Sequence, residues 1–303
     1  MDMKNAKNVD FWQIDNQIKK ISQKKGILVL PIKTAYKKFD FLKKHFKKEP
    51  KEGYFIWVKR DVDFPLLACI TIASPRVSQE LKNILIIEKN VKVKMKAICN
   101  TLKNNLCGSH QTIGKVFIKK NASLEYQHFH HWGKNDFVLP QYEFFLKEKA
   151  KLNYIFKNFS PPKEMKIKTQ IFAQKEANLN LNFIIEGKNT KIDLKDIVFL
   201  EGKNSKATVR LKLVARKKSQ IFAFSQIIAK NLAKGHLECQ GLLVDDNSKI
   251  SLLPALVVEK KNAQLTHEAS IGKICEEKLI YLRQRGFSEK EAIDLIVKGF
   301  LEK

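Results

Sequence analysis

The sequence predicts a mainly β protein, a β-solenoid with a helix-containing segment in front of it and a helical hairpin behind. A loose repeat through the middle of the 303-residue chain is the first sign. An apolar run meets a short charged corner with Asn and then restarts. Copies begin at Leu85 (LIIEKNVKVKMKAI), Val116 (VFIKKNASLEYQHF), Phe183 (FIIEGKNTKIDLKDIVF), Val198 (VFLEGKNSKATVRLKLV) and Leu256 (LVVEKKNAQLTHEASI). Gly and Asn tolerate positive φ, so each copy reads as a strand, a tight corner and a second strand. Recurrence roughly every 15 residues is too short for helical repeats and suits the rungs of a solenoid. A sandwich of hairpins would show similar turns, and periodicity alone leaves it open. The second sign is a switch to a helical period after Ile274, and the third is the near absence of helical signals between Tyr54 and that point.

Taken in order, the first stretch carries Val9, Trp12, Ile14, Ile18 and Ile21 at near-helical spacing, and KTAYKKFDFLKKHFKK repeats the pattern. ILVLPI between them reads as a short strand, and Lys47 to Gly53 as a loop, because Pro and Gly amid dense charge break both periods. Pro161-Pro162 marks a corner or an insertion between blocks of rungs. Near the end, CEEKLIYLRQRG has Glu276 and Glu277 in a first turn, where carboxylates complement the helix dipole, and Gly286 at the stop. Ser288 with Glu291 is a capping-box pattern opening a second helix, striped by Ile293, Ile296, Val297 and Phe300. Such a hairpin either packs on the β body, as a cap sealing the solenoid, or docks a partner. The division is thus 1–70, a mixed helical segment; 71–274, the β core; and 275–303, the helical hairpin.

The formal net charge of +26 invites a nucleic-acid reading. The excess is nearly all Lys, is spread end to end and includes six Arg, whereas base and phosphate readout leans on clustered Arg. A solvated Lys-rich surface is the simpler account; a basic nucleic-acid-binding β protein stays as the alternative. No apolar run approaches the roughly 20 residues of a membrane span, and the N-terminus lacks a secretory pattern, so the expected location is the cytoplasm. The five cysteines (Cys69, Cys99, Cys107, Cys239, Cys275) include no CxxC, which argues against a disulfide framework or a structural zinc site. GxxxxGK[ST], GxGxxG and GxSxG runs are absent, so no nucleotide is expected to be bound or hydrolysed by this chain itself. Its acidic residues fall mostly in turns, against a glycosidase's convergent carboxylates.

The chemistry gathers in the last quarter. GHLECQGLLV ends a strand-like pattern on Cys239, and LTHEASIGKI sets His267 and Glu268 at the end of another. A thiolate suits iron–sulfur chemistry, and carboxylate or imidazole completes a site whose metal must leave again. In an unbroken strand His267 and Glu268 point to opposite faces, so both reach one site only at a strand end or an interface. Cys239 also fits as a small buried hydrophobe. His128 and His130 alternate on one strand face before His131 and Trp132, and without a Cys or carboxylate on that face they read as structural. Cys275 reads as a helix-capping thiol; Cys69, Cys99 and Cys107 read as core.

GHLECQGLLV, LTHEASIGKI, EEKLIYLRQRG and KEAIDLIVKGF, in that order, resemble the SufB/SufD family of SUF iron–sulfur cluster assembly scaffolds. SPRVSQELKNILIIEKNVKVKMKAICNT and SLEYQHFHHWG extend the resemblance over roughly residues 70 to 303. It implies a right-handed parallel β-helix whose C-terminal helical hairpin docks a SufC-like ABC ATPase, with Leu279, Tyr281, Arg283, Arg285, Ile293 and Phe300 as the contact. Cys239 matches the SufB cysteine essential for building the cluster, Glu268 the glutamate implicated with it and His267 its neighbour. The gap-free spacing from Cys239 to Glu268 resembles SufB more than SufD. The compact length resembles the minimal two-component form, in which the scaffold pairs with itself and two copies of Cys239 and Glu268 meet around a transient cluster. No counterpart of an upstream sulfur-accepting cysteine is identifiable. The expectation is a non-catalytic scaffold, with ATP hydrolysis in the partner and unknown sulfur donors and cluster recipients.

Overall fold

The computed structural model describes residues 9–46 and 48–302. It is a β-solenoid of about eight turns, flattened into two sheets, with a pair of helices at the C-terminus. One sheet holds β1 (Phe11–Ile14), β2 (Gln17–Ile21), β5 (Leu66–Ile72), β7 (Lys92–Thr101), β9 (Ser123–His131), β11 (Lys151–Ser160), β13 (Asn178–Lys188), β15 (Ser205–Arg216), β17 (Ala233–Leu243) and β19 (Gln264–Lys273). The other holds β3 (Ile27–Pro31), β4 (Tyr54–Val58), β6 (Ser78–Ile87), β8 (Ser109–Ile118), β10 (Phe137–Leu146), β12 (Glu164–Ala173), β14 (Lys191–Leu200), β16 (Gln220–Ala229) and β18 (Lys249–Val258). From β4 onward the chain alternates between the sheets, and these strands pair with one another in parallel, while β3 joins β4 antiparallel. In-register neighbours such as Asp196 and Ser225 are 29 residues apart, so the recurrence seen in the sequence is half a coil.

The corners are built as the repeat implies. Asn90, Asn121, Asn189, Asn204 and Asn262, the Asn of each of the five copies, all have positive φ, between 54° and 77°. Gly202 answers a different need: a Cβ there would lie 1.9 Å from the backbone nitrogen of Lys175. Strand residues alternate inward and outward, and the inward ones form one continuous core from Phe11 to Ile250. Parallel register stacks like on like, as in Leu124, Leu152 and Leu179, or Tyr126 and Tyr154. Outside, Phe117, Phe145, Phe172 and Phe199 stack with centroids 4.9 to 5.2 Å apart. The Pro161-Pro162 corner joins β11 to β12 without interrupting the rungs.

The N-terminal helical reading of Val9 to Ile21 is overturned. This segment is the antiparallel hairpin β1–β2, turned at Asp15 (φ 52°), whose carboxylate accepts from the backbone of Ala73 and Ser74. Apolar positions that fit a helical period also fit two short strands, and the Asp15-Asn16 turn decides between them. KTAYKKFDFLKKHFKK does form α1 (Ile32–Lys38) and a 3-10 turn (Asp40–His45), which cover Phe55, Ile84 and Ile86 on the outside of the second sheet. Of the Lys47 to Gly53 loop, Lys47 lies outside the described residues.

At the other end, α2 (Glu276–Gln284) and α3 (Glu289–Glu302) form the expected hairpin. The capping box is present: Glu291 N–H donates to Ser288 Oγ (3.3 Å), and Ser288 N–H donates to Glu291 Oε2 (2.8 Å). Gly286 turns the chain with φ +92°. The hairpin is no plug for the solenoid's end. α3 lies on the outer face of the first sheet, where Val297 and Leu301 pack on Val214 and Leu242 and Arg216 bridges Asp294 and Glu186.

Candidate functional site

Cys239 sits in the middle of β17 and faces inward, 1% exposed and part of the continuous core. β17 is the second strand from the edge of its sheet; β19 lies outside it and is the last strand of that sheet among the described residues. Parallel register sets Leu237 beside His267, Glu238 beside Glu268 and Cys239 beside Ala269. His267 therefore shares the inward face with Cys239, while Glu268 shares the outward face with Glu238, Arg210 and Gln240. One expectation needs correction here: His267 and Glu268 lie inside β19, which runs on to Lys273, and not at a strand end. Both are exposed, as is most of the last coil. Within one chain, then, the strand end that would bring His267 and Glu268 to one point is absent, and the uncovered edge of β19 remains.

The surroundings of Cys239 are unlike the rest of the core. On β17, Gly235 faces Ile227 on β16 and Gly241 faces Ile250 on β18, and Cys239 lies between these two positions on the same inward face. The Ser225 hydroxyl donates to Asp196 Oδ2 (2.6 Å) in the strand below; Asp196 is 0% exposed and its Oδ1 has no hydrogen-bond partner among the described residues. Burial raises the Asp196 carboxyl to about 7. Burial, with the Asp196 and Glu238 charges, pushes the Cys239 thiol up to about 12, so in the single chain it is a protonated thiol. Asp196 and Ser225 escaped the sequence reading, although their separation by one coil was a usable signal.

A second polar cluster lies deep in the solenoid, four coils earlier. Cys99, His128 and His130 face inward on β7 and β9, all buried, and their ligating atoms lie within 4.8 Å of one another. Cys99 Sγ is 3.5 Å from His128 Nε2, and the His128 and His130 Nε2 atoms are 3.0 Å apart. Trp132 Nε1–H donates to His130 Nδ1 (3.0 Å), and His128 Nδ1 meets the Tyr154 hydroxyl (3.1 Å). Burial lowers His128 to about 3 and holds His130 well down, so both imidazoles are neutral; it also raises the Cys99 thiol. The expectation that no cysteine shares the face of His128 and His130 is thus overturned: Cys99 arrives from the previous coil. Cys69 and Cys99 are buried as expected, but Cys107 is exposed in a corner with φ 53°. Cys275 takes the N-cap position of α2 without a side-chain capping bond.

The helical hairpin divides its residues. Tyr281 is 55% exposed with the Arg285 guanidinium 5.1 Å from its ring centroid; Arg283 is also exposed and Leu279 half-buried. Ile293 and Phe300, by contrast, pack with Val297 and Leu301 against the sheet, so this part of the stripe holds α3 to the body. No helix among the described residues is long and apolar enough to cross a membrane.

Comparison with known proteins places this architecture. The profile of the SufBD core domain of the SUF system for FeS cluster assembly matches residues 70–300. An iron-sulfur cluster assembly SufBD family protein of Archaeoglobus fulgidus is 32% identical over 298 residues, covering 91% of this chain and 79% of its own. A relative of the same description from Methanothermobacter thermautotrophicus is 34% identical over 257 residues, and one from Staphylococcus epidermidis 26% over 256. Those matches span 62% and 55% of the two relatives' lengths. A core domain matched over most of the solenoid, together with a third of positions identical along nine-tenths of the chain, makes this protein a member of the SufBD family of iron–sulfur cluster assembly proteins.

Proposed function

We propose that this protein is the scaffold of a SUF-type assembly complex, on which a transient iron–sulfur cluster forms around Cys239 where two copies of the chain meet. The observation that carries the reading is the position of Cys239, one strand in from the uncovered edge β19 in a SufBD family chain. That last coil exposes Leu253 (51%), Val258 (50%) and Ile271 (45%), apolar side chains along an edge with unpaired backbone groups. A second copy added edge to edge covers them and brings each His267 and Glu268 near its duplicate. Oxygen and nitrogen ligands beside one sulfur hold iron loosely, which suits a product that has to be handed on.

A SufC-like ABC ATPase docks on α2 in this proposal, through Leu279, Tyr281, Arg283 and Arg285. Ile293 and Phe300 contribute by fixing α3, and through it α2, to the sheet that carries Cys239. ATP-driven movement of α2 thereby reaches β15 and β17 through α3. The chain supplies ligands and a lever, and hydrolysis occurs in the partner. Anaerobic reconstitution with ferrous iron and sulfide tests the site: Cys239→Ala should lose the cluster absorption, and an unchanged spectrum refutes the assignment. Tyr281→Ala with Arg285→Glu should abolish co-purification with the ATPase while α3 stays docked; retained binding refutes the docking role.

A further inference from the structure

We propose that Cys99, His128 and His130 form a binding site, separate from Cys239, for one borderline transition-metal cation of the Zn²⁺ or Fe²⁺ class. The spacing suits a cation. Bonds of about 2.3 Å to sulfur and about 2.0 Å to imidazole nitrogen put tetrahedral ligand atoms roughly 3.3 to 3.7 Å apart. Here the Sγ to His128 Nε2 distance, 3.5 Å, falls in that range, the Nε2 to Nε2 distance, 3.0 Å, is slightly short of it, and all three ligating atoms lie within 4.8 Å, so a cation needs only a small outward shift of one imidazole. Parallel register fixes the geometry: Cys99 stands directly beside His130, and His128 follows two residues earlier on the same inward face. The three are the set of His, Cys, Asp and Glu among the described residues whose ligating atoms converge this closely.

The hydrogen-bond accounting of the metal-free cluster points the same way. The indole N–H of Trp132 can only donate, so His130 Nδ1 accepts and His130 Nε2 carries the proton. That proton is directed at His128 Nε2, as is the Cys99 thiol proton. Two donors thus compete for the single in-plane lone pair of one nitrogen. A cation at that point replaces the competing protons and uses the lone pairs of all three groups. His128 is already backed in the manner of a metal ligand, its other nitrogen donating to the Tyr154 hydroxyl. Three protein ligands leave a fourth position open.

Binding releases the thiol proton of Cys99 and moves the proton of His130 from Nε2 to Nδ1, where it faces the Trp132 N–H. Trp132 is therefore the group that tunes the site against metal. Because the ligands are buried, the ion enters while the chain folds, and the test follows from that. The full chain is refolded anaerobically with Co²⁺ as a spectroscopic stand-in. A thiolate-to-cobalt charge-transfer band with the intensified d–d bands of a four-coordinate ion is the expected result. The band should survive Cys239→Ala, disappear in Cys99→Ser, and need roughly tenfold more Co²⁺ in His128→Gln. Trp132→Phe should tighten binding by roughly tenfold, which a merely structural cluster does not predict. Displacement of the bound Co²⁺ by Zn²⁺ or by Fe²⁺ identifies the ion, and displacement by neither overturns the proposal. So does a parent protein without the band, or a band lost in Cys239→Ala and kept in Cys99→Ser. If Cys99→Ser does not refold, Trp132→Phe decides, and unchanged Co²⁺ affinity overturns the site. Because the Cys239 variants are read separately, failure here leaves the proposed scaffold role standing, and the reverse holds.

Discussion

Two inward-facing thiols occupy the same solenoid under opposite conditions. Cys99 lies in the fully enclosed region, ringed by His128, His130 and Trp132, with both nitrogens of each imidazole within hydrogen-bond reach of a partner. Cys239 lies one strand from an uncovered edge, within electrostatic reach of Asp196, a buried carboxylate whose Oδ1 has no hydrogen-bond partner among the described residues. A buried unpaired polar atom is destabilising by about 1 to 3 kcal/mol, and more for a charged one, so the second arrangement is a strained one. The difference teaches which level the fold keeps rigid and which it keeps ready for change.

The sharpest way to break the contrast is exchange of the thiols. Cys239→Ala is expected to abolish cluster absorption after anaerobic reconstitution, whereas Cys99→Ser should retain it; equal loss in both would erase the distinction. Next in size is Trp132→Ala. Removing a side chain 1% exposed from the enclosed level should destabilise the protein by about 3 to 5 kcal/mol, read from urea denaturation. A loss below about 1 kcal/mol would mean that this level is not the packed one.

Asp196 sharpens the other side. Its carboxyl titrates near 7 in the fold against an ordinary value of 3.8, so the folded state binds the proton more tightly than the unfolded chain does. Stability from this group is complete below about pH 4, falls as pH rises and is lost above about pH 7. Asp196→Asn keeps an acceptor for the Ser225 hydroxyl and removes the charge. It should flatten that dependence and raise stability at pH 8 by about 4 kcal/mol; a variant less stable at pH 8 than its parent would show that the orphaned oxygen has a partner after all. The smallest effect lies outside the solenoid: Ser288→Ala should cost about 1 kcal/mol through the lost cap of α3, measured by thermal unfolding.

Most of the fold was legible because its signals are local. Each Asn corner states its own backbone conformation, and the change of period after Ile274 with the Ser288–Glu291 box marks the helices where they occur. The site was legible in part. Cys239, His267 and Glu268 stood out by residue type, and strand parity already separated His267 from Glu268. Val9 to Ile21 misled because short apolar spacings satisfy two periods at once. Cys99 with His128, and Asp196 with Ser225, were missed for one shared reason: each pair comes from neighbouring coils, 29 residues apart in sequence, and the repeat had been read at half that length.

By itself the sequence determined the corners, the strand faces, the helical hairpin and the residue types able to handle iron and sulfur. The tertiary structure alone decided which residues share an interior level, which edge stays uncovered and on which face α3 lies. Local conformation follows from a residue and its near neighbours, whereas stacking in a solenoid joins positions a full coil apart through register, which only the packed coils fix.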